Sequence, residues 1–410
     1  MNRQLNLLGV LLITLTAVSC ITGNKNSGGN DLLDKCPVVG KYVQVGDGKV
    51  LSTDQSLLGD TISFPLSYFA EEMEIIKLDS RDTALVGQCN VSLSDNYILA
   101  YSGYPPTAFK LFDRKGNYLT NIGSVGQGPG EYQSVYAAQI DEKNNRVYLM
   151  PWQTDRLLVF DLQGNALDPV PLGIRCPKAT FKVDPDRGTV TVAVLPFPNT
   201  PAVVWVQDLS GKHLKEVAPG HLEVPWTFNN EVMPAFNIPG VFDVDILCVD
   251  PTRADSLYRY NVENNRLCPT FTFNHTVNPI PWHDYCEWPD HFVGQYSGPP
   301  VIQQVEGGTI ATPGETVHYI IDKNTCKGAY FKMYNDYFGN LEIDWPSGAF
   351  YNGYFIRNLE PGNLLNDIDK LLKKDDLTNE MRKKLTDLQS TIDENDNNYI
   401  MIARLKKGHV

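Results

Sequence analysis

The sequence lacks several patterns that would assign it to a well-defined functional class. It has no Cys-x-x-Cys pair, which argues against a zinc site built from thiolates. It has no Gly-x-Ser-x-Gly elbow and no phosphate-binding loop ending in Lys-Ser/Thr. It also has no tract of Lys or Arg, and its formal net charge is −13. The chain therefore has no electrostatic footprint for nucleic acid, and we predict no nucleic-acid partner.

The N-terminus carries the signals of an exported, lipid-anchored protein. Arg3 precedes an apolar segment of about a dozen residues (7–18), which is too short to span a bilayer. Small residues then precede Cys20, as in a bacterial lipobox, so we predict a signal peptide over residues 1–19 and acylation of Cys20. The alternative is an ordinary secretory signal with a chance cysteine. Residues 20–40 are expected to form the acylated cysteine and a flexible tether.

A hairpin signature repeats along the middle of the chain. The motif Phe-Asp-x-x-Gly-Asn occurs at 112–117 and at 160–165, each time after β-branched and aromatic residues. Weaker strand-plus-turn signals end at Asp208, Asn261 and Asp322, which gives spacings of 48, 47, 53 and 61 residues. A hairpin that returns about every 50 residues is typical of the four-stranded blades of a β-propeller. We read these runs as outer strands.

Other segments predict how the blades are completed. Inner strands are expected between the outer ones, including a single inner strand at 243–250. Strand patterns at 72–78, 349–356 and 398–405 would build the last blade from both ends of the chain, which leaves no open sheet edge. Apolar residues at helical spacing over 361–392 predict two short amphipathic helices.

The predicted fold is all-β, a six-bladed β-propeller with a short C-terminal α-helical hairpin inserted in the last blade. The propeller would occupy residues 72–406, with the helical insert at 361–392 and an N-terminal lead-in segment at 41–71. Without the insert, six blades would have roughly 50 residues each and seven roughly 43, and both sizes occur in propellers. The observed spacings favour six.

A family resemblance supports this prediction. Residues 122–133, with the crossover Gly-Gln-Gly-Pro-Gly-Glu-Tyr, resemble an NHL-type repeat. The chain from about residue 65 to 406 looks like the six-bladed β-propeller lipoproteins of Bacteroidetes, which carry the same crossover and end in a strand with a basic Leu-Lys, here Leu405-Lys406. The resemblance implies a propeller and a place in the cell envelope. It implies little chemistry, because that family largely lacks an assigned activity.

The crossover Gly126–Tyr132 has two interpretations. Glycine and proline suit tight turns, and Tyr132 would then anchor in the core between two blades. Alternatively, backbone N–H groups of the crossover line a ligand site at the propeller mouth together with Glu131 and Tyr132. The structural role is the favoured interpretation.

The densest polar cluster is the ten-residue segment from Trp282 to His291. Its two histidines, three carboxylates and one cysteine could contact a ligand, bind a metal or perform acid–base chemistry. The spacing matches no zinc motif, so we assign no metal ligand. The simplest interpretation is a long, aromatic-packed loop between blades four and five.

Tryptophans in expected loops add further candidates, because aromatic platforms near polar groups suit sugars and peptides. The same residues often fill the cores between blades instead. No catalytic residue is assigned. The candidate ligand-binding residues are Glu131, Tyr132, Trp152, Arg156, Trp226, Trp282, His283, Trp288, Asp290 and His291.

These patterns predict a lipid-anchored binding or scaffold module of the cell envelope, with a peptide, glycan or partner protein at one mouth of the disc. The alternative is a propeller enzyme, a lyase or hydrolase, with a metal or carboxylate site in the central channel; it rests on the fold alone. We predict no cofactor, and Ca²⁺ or Zn²⁺ stays open for the enzyme alternative. No acidic run follows Cys20, so we expect an outer-membrane lipoprotein on the periplasmic face rather than at the cell surface.

Overall fold

The protein folds as a six-bladed β-propeller, which confirms the predicted architecture. The structure, a computed structural model, describes residues 32–46, 48–102, 107–249, 255–305, 308–312 and 314–408. The predicted signal peptide and the acylation site Cys20 lie outside these residues. Within the part of the chain that is described, none of the helices combines the length and the hydrophobicity needed to cross a bilayer.

Blades 1 to 3 are four-stranded antiparallel sheets, each formed by one continuous stretch of chain. A two-residue parallel pair, Ser124–Val125 with Glu131–Tyr132, lies between the first two. In strand order, blade 1 is Asn90–Leu93, Tyr97–Tyr101, Phe109–Asp113 and Tyr118–Ile122; blade 2 is Val135–Asp141, Arg146–Pro151, Thr154–Phe160 and Ala166–Cys176; blade 3 is Ala179–Asp184, Thr189–Val194, Val204–Asp208 and His213–Val217.

Blades 4 and 5 are enlarged by strands from the N-terminal segment. The hairpin Gly40–Val45 and Gly48–Asp54 joins blade 4 through parallel pairing with its fourth strand, and Thr61–Pro65 pairs in parallel with the fourth strand of blade 5. Blade 4 is Glu231–Pro234, Asp243–Leu247, Leu257–Asn261 and Arg266–Asn274; blade 5 is His283–Glu287, His291–Ser297, Thr316–Asp322 and Gly328–Asn335, with Leu341–Ile343 added and the small hairpin Val301–Val305 and Gly308–Thr312 between its second and third strands.

Blade 6 closes the disc with strands from both ends of the chain, as predicted. The N-terminal strand Ala70–Lys77 pairs with Tyr399–Leu405, and the inner strands are Phe350–Tyr351 and Tyr354–Leu359. The helices Pro361–Leu372 and Asn379–Gln389 form the insert between the second and third strands. The remaining helical segments are Leu66–Phe69 and the 3-10 turns Gln55–Leu57, Asp82–Ala84, Gly220–Leu222 and Asp336–Phe338.

Strand direction gives the disc two distinct faces. Neighbouring strands of a blade are antiparallel, so the loop between strands 2 and 3 opens on the same side as the connection to the next blade. We call this side the connection face. The turns between strands 1 and 2 and between strands 3 and 4 open on the opposite side, the hairpin face. The first strands of blades 1 to 4 adjoin one another around the central channel.

The repeated Phe-Asp-x-x-Gly-Asn motif is the turn between strands 3 and 4. The Oδ1 atom of Asp161 accepts hydrogen bonds from the backbone N–H groups of Gln163 and Asn165 at 3.0 and 2.8 Å. Gly164 adopts a φ of +85°, and a Cβ atom there would overlap the carbonyl oxygen of Asn121 in blade 1. The turn therefore packs against the outermost strand of the preceding blade, and only glycine fits.

Three details of the predicted organisation need correction. The runs that were predicted as outer strands are third strands, and a fourth strand lies outside each of them. The segment predicted as a single inner strand at 243–250 is the second strand of blade 4, Asp243–Leu247, because Glu231–Pro234 lies inside it. The lead-in segment is itself part of the sheets of blades 4 and 5, since it supplies partners for their outer edges.

Candidate functional site

Three exposed aromatic side chains lie in two adjacent loops of the connection face. Trp152 follows strand 2 of blade 2, whereas Trp226 and Phe228 lie in the connection from blade 3 to blade 4; their exposed fractions are 41%, 68% and 75%. The ring centroids of Trp152 and Phe228 are 6.4 Å apart, and Trp226 stacks on the buried ring of Phe197 at 4.0 Å. We call Trp152, Trp226 and Phe228 the aromatic patch.

The loop that carries the patch is held in place by a buried lysine. Lys178 donates from Nζ to the carbonyl oxygens of Phe228 and Asn230, at 2.6 and 2.9 Å, and to the carboxylate of Glu231 at 2.9 Å. Its ammonium also lies 4.7 Å from the ring centroid of Phe228, within the range of a cation–π interaction. The exposed rings are thus presented by an ordered loop, which lowers the entropy that a ligand would have to overcome.

A buried asparagine fixes the same loop from the other side. The amide of Asn230 donates to the carbonyl oxygen of Pro225 at 3.0 Å and accepts from the backbone N–H of Val249 at 3.0 Å. Its side chain has no exposed surface. Because both ends of the Asn230 amide form hydrogen bonds within the protein, this side chain stabilises the connection and is not a ligand contact.

Polar groups border the aromatic patch. Gln153, directly after Trp152, accepts a hydrogen bond from the guanidinium of Arg175 at 3.5 Å, and both residues are exposed. Tyr136 donates its hydroxyl to Glu231 at 3.0 Å. Burial, together with the neighbouring Glu231 carboxylate, raises the pKa of Tyr136 above its ordinary value, so its hydroxyl stays protonated. The patch therefore combines flat apolar rings with amide and guanidinium groups at one edge.

Sequence reasoning identified Trp152 and Trp226 separately, and the structure brings them to one surface. It missed Phe228, Lys178 and the polar pair beside Trp152. A usable signal was the sequence Pro-Trp-Thr-Phe around Trp226, which places two large aromatic residues two positions apart in one connecting segment. The role of Lys178 needed the fold, because its partners lie about 50 residues further along the chain.

The glycine-rich crossover makes contacts within the fold. Tyr132 is buried; its hydroxyl donates to the carbonyl oxygen of Ile122 at 2.7 Å and accepts from the backbone N–H of Phe109 at 2.8 Å. Glu131 accepts a hydrogen bond from the backbone N–H of Gly128 at 2.7 Å, so its carboxylate closes the loop. Arg156 is exposed and pairs with its neighbour Asp155.

The segment from Trp282 to His291 is not the loop that was predicted. It forms the first hairpin of blade 5, with strands His283–Glu287 and His291–Ser297. Packing buries most of its polar side chains, and many of them form hydrogen bonds. The many polar residues of this segment therefore belong to an interface between blades and not to a solvent-exposed loop. Trp288 and His291 are buried, Asp290 is partly buried, and Trp282 is 40% exposed.

Part of this hairpin belongs to a fully paired charge network between blades 4 and 5. Arg259 binds the buried carboxylate of Asp243 through two hydrogen bonds of 2.9 Å and also pairs with Glu287. Lys323 completes the network with a 2.6 Å hydrogen bond to Glu287. Two acids and two bases therefore balance one another in the interface.

A second polar cluster in the same interface is incompletely paired. His283 bonds Asp255 through Nε2 at 2.7 Å, and the amide of Gln295 donates to Asp284 at 2.6 Å. Within the described residues, one oxygen each of Asp245, Asp255 and Gln295 has no hydrogen-bond partner. Burial and the charges of Asp255 and Asp284 raise the pKa of Asp245 well above its ordinary value.

The pKa values of His283 and of the neighbouring His275, whose ring centroids lie 4.9 Å apart, shift in opposite directions. Burial opposes protonation of His283, but the hydrogen bond and charge of Asp255 outweigh it and raise the His283 pKa. Burial and the nearby His283 lower the pKa of His275 to about 4. In the part of the chain that the structure describes, no three His, Cys, Asp or Glu side chains are grouped so that they could hold a metal ion.

Comparisons with known proteins identify a family and a fold. A sequence family described as "Domain of unknown function (DUF4934)" matches residues 55–404. No curated protein sequence matches the chain. A solved structure of a Bacteroides fragilis protein described as exported is similar over 87% of this chain and 99% of its own, with 15% identity and a TM-score of 0.56. A DUF4221 family member from Bacteroides vulgatus covers 82% of this chain and 97% of its own at 10% identity, with a TM-score of 0.42. At these identities, the likeness to the first structure establishes the fold alone.

Proposed function

We propose that this chain, which belongs to the DUF4934 family, is a binding module of the cell envelope that holds a glycan on its aromatic patch. The module is exported and anchored by lipid at Cys20, in the outer membrane and facing the periplasm. The observation that supports binding is the contact between Trp152 and Phe228, from two separate loops, with the exposed Trp226 two residues before Phe228 on the same ordered loop.

The chemistry of the patch favours a glycan over other occupants. Sugar rings present apolar C–H faces that stack on flat aromatic rings, and their hydroxyls bond polar groups such as Gln153 and Arg175 at the ring edges. Nucleobases also stack on aromatic platforms, but single-stranded nucleic acids need a positively charged groove, and this chain carries a net charge of −13. Peptides bind in grooves or along sheet edges, and the patch instead consists of loop side chains.

The proposal is tested by screening the soluble domain against a glycan array, followed by calorimetric titration of the best binder. We expect Trp226→Ala and Phe228→Ala to weaken binding about 10-fold each, which corresponds to about 1.4 kcal/mol per lost stacking contact. Trp226→Tyr, which keeps a flat ring, should retain most of the affinity. Thermal melting of each variant checks that the fold is intact.

Trp345→Ala provides the matched control, because this tryptophan is 53% exposed and lies outside the patch. Its affinity should equal that of the wild type. The proposal fails if no glycan binds, if Trp345→Ala weakens binding as much as Trp226→Ala does, or if a peptide library yields the ligand instead.

A further inference from the structure

A cavity occupies the central channel on the side opposite the aromatic patch. It has a volume of about 320 Å³, and five of the six blades line it. Its walls include Ser92 of blade 1, Gln139 of blade 2, Lys182 of blade 3, Phe236 of blade 4 and Tyr351 of blade 6. Several lining residues lie in or beside turns between strands 1 and 2, so the cavity belongs to the hairpin face. Its volume is at the lower end of the range for small-molecule sites.

Lys182 is the cationic group of this cavity, and it lacks a counter-charge. Within the described residues it forms no ion pair, and its Nζ reaches only the carbonyl oxygen of Val241, at the long distance of 3.5 Å. Its ammonium lies 5.1 Å from the ring centroid of Phe236. Burial lowers the pKa of Lys182, although the charge of Asp243 opposes this effect. That acid is already bound by Arg259.

A second lysine, four residues earlier in the chain, provides a comparison, because its ammonium group has a full set of hydrogen-bond partners. Lys178 donates to three oxygens at 2.6 to 2.9 Å, including the Glu231 carboxylate. Lys182 has none of these partners, yet it lies in the wall of a cavity. A partly desolvated charge without a counter-charge is unfavourable, and an anion in the cavity would compensate it.

The other residues that line the cavity limit the class of anion that it can bind. The amide of Gln139 is held at both ends by the backbone of Val183, at 2.8 and 3.0 Å, so its orientation is fixed and it can offer a ligand its second N–H but no charge. Burial raises the pKa of Tyr351, which keeps its hydroxyl a neutral hydrogen-bond donor. Phosphate sites typically use an arginine fork or a helix N-terminus, and neither is among the cavity's lining residues. One ammonium beside aromatic and aliphatic walls suits a monovalent group on an organic body.

We propose that the channel cavity binds a small organic carboxylate, with its carboxylate paired to Lys182 and its body against Phe236. This site lies on the opposite face from the aromatic patch and does not depend on glycan binding there. Both a free organic acid and an acidic sugar offer the required chemistry, and paired probes distinguish them.

The test is calorimetric titration of the soluble domain with charged and uncharged partners of similar size: glucuronate against glucose, and butyrate against butyramide. We expect at least one carboxylate to bind and its uncharged partner to bind at least 10-fold more weakly. Lys182→Met should weaken the carboxylate at least 10-fold, while Lys182→Arg should keep most of the affinity because it keeps the charge. Lys212→Met, an exposed lysine of the same blade, is the control.

Thermal melting supplies an independent reading. Without ligand, Lys182→Met should melt at a higher temperature than the wild type, since it removes an unpaired charge. The bound carboxylate should raise the melting temperature of the wild type but not that of Lys182→Met. The proposal is overturned if neither carboxylate binds, if inorganic phosphate binds in their place, or if charged and uncharged probes bind equally. It is also overturned if Trp226→Ala, and not Lys182→Met, abolishes carboxylate binding, whereas loss of glycan binding alone leaves it standing.

Discussion

The interface between blades 1 and 2 and the interface between blades 4 and 5 are built on opposite principles. The first is apolar, and its central polar group, the hydroxyl of Tyr132, is satisfied by two backbone partners. The second buries several carboxylates, among them Asp243 and Asp245, which have no exposed surface. Apolar packing stabilises the first interface, whereas the stability of the second depends on the pairing of its buried charges.

The N-terminal strands are added where the interface is polar. Gly48–Asp54 extends blade 4 and Thr61–Pro65 extends blade 5, whereas blades 1 to 3 receive no added strand. Leu51, from the first of these strands, packs in the same core as Phe271 and Tyr319. Apolar area from the N-terminal segment thus offsets the cost of buried charge between blades 4 and 5.

Removing the central base of the charged interface should produce the largest loss of stability. Arg259→Met leaves the buried carboxylates of Asp243 and Glu287 without their shared partner. We expect the free energy of unfolding to fall by about 3–5 kcal/mol, the usual cost of leaving a buried charge uncompensated. Denaturant unfolding followed by tryptophan fluorescence measures the loss.

Arg156→Met is the matched control, because Arg156 also pairs with an aspartate but both side chains are more than half exposed. This change should alter stability by less than about 1 kcal/mol. Equal effects of the two substitutions would show that buried charge does not distinguish the blade 4–5 interface.

The apolar interface should be most sensitive at its turn glycines. In Gly164→Ala, the new methyl group meets the carbonyl oxygen of Asn121, and the residue must keep a φ of +85°. We expect a loss of about 2–4 kcal/mol, from steric overlap added to left-handed strain. Gly188→Ala has a φ of +61° with no atom near the new methyl group, so it should lose only about 1 kcal/mol. Similar losses at both positions would mean that the turn does not set the packing of one blade on the next.

The regular part of the propeller could be predicted because its signals are local. The turn at Asp161 and its glycine lie within six residues, and each copy of the Phe-Asp-x-x-Gly-Asn motif predicts the same hairpin. The closing strand Ala70–Lys77 was also predictable, since a disc needs a partner for its last edge. These features follow from short-range chemistry or from closure of the fold.

The charged interface was misread because its meaning depends on distant partners. The residues around His283 were predicted as a long, aromatic-packed loop, yet they form strands whose polar groups pair with Asp255 and Arg259 from another blade. The aromatic patch was only partly predicted for the same reason: Trp152 and Trp226 were noticed, but the contact of Trp152 with Phe228, two residues after Trp226, depends on how blades 2 and 3 are arranged. The sequence did not indicate a role for Lys182, because only the three-dimensional structure shows that this lysine lacks a counter-charge.

The smallest expected effect concerns pH and distinguishes the incompletely paired cluster from the balanced network. Burial raises the pKa of Asp284 from 3.8 to about 6, although Gln295 and His283 oppose the shift. Because the folded pKa lies above the unfolded one, this group contributes stability that is fully present below about pH 4 and is lost as the pH rises through 6. Asp284→Asn cannot ionise, and the unpaired oxygen of Gln295 can accept its new N–H group after an amide flip.

We therefore expect Asp284→Asn to be more stable than the wild type at pH 8 by roughly 1–3 kcal/mol, and nearly equal to it at pH 4. His283, whose pKa is also raised, contributes a loss in the same direction. His283 is present in both proteins, so the difference between their unfolding curves reports Asp284 together with its coupling to His283. Asp375→Asn, at an exposed position, should follow the wild type at every pH. A constant difference from pH 4 to pH 8 would mean that Asp284 is already ionised across this range, and that the cluster between blades 4 and 5 is as well balanced as the Arg259 network beside it.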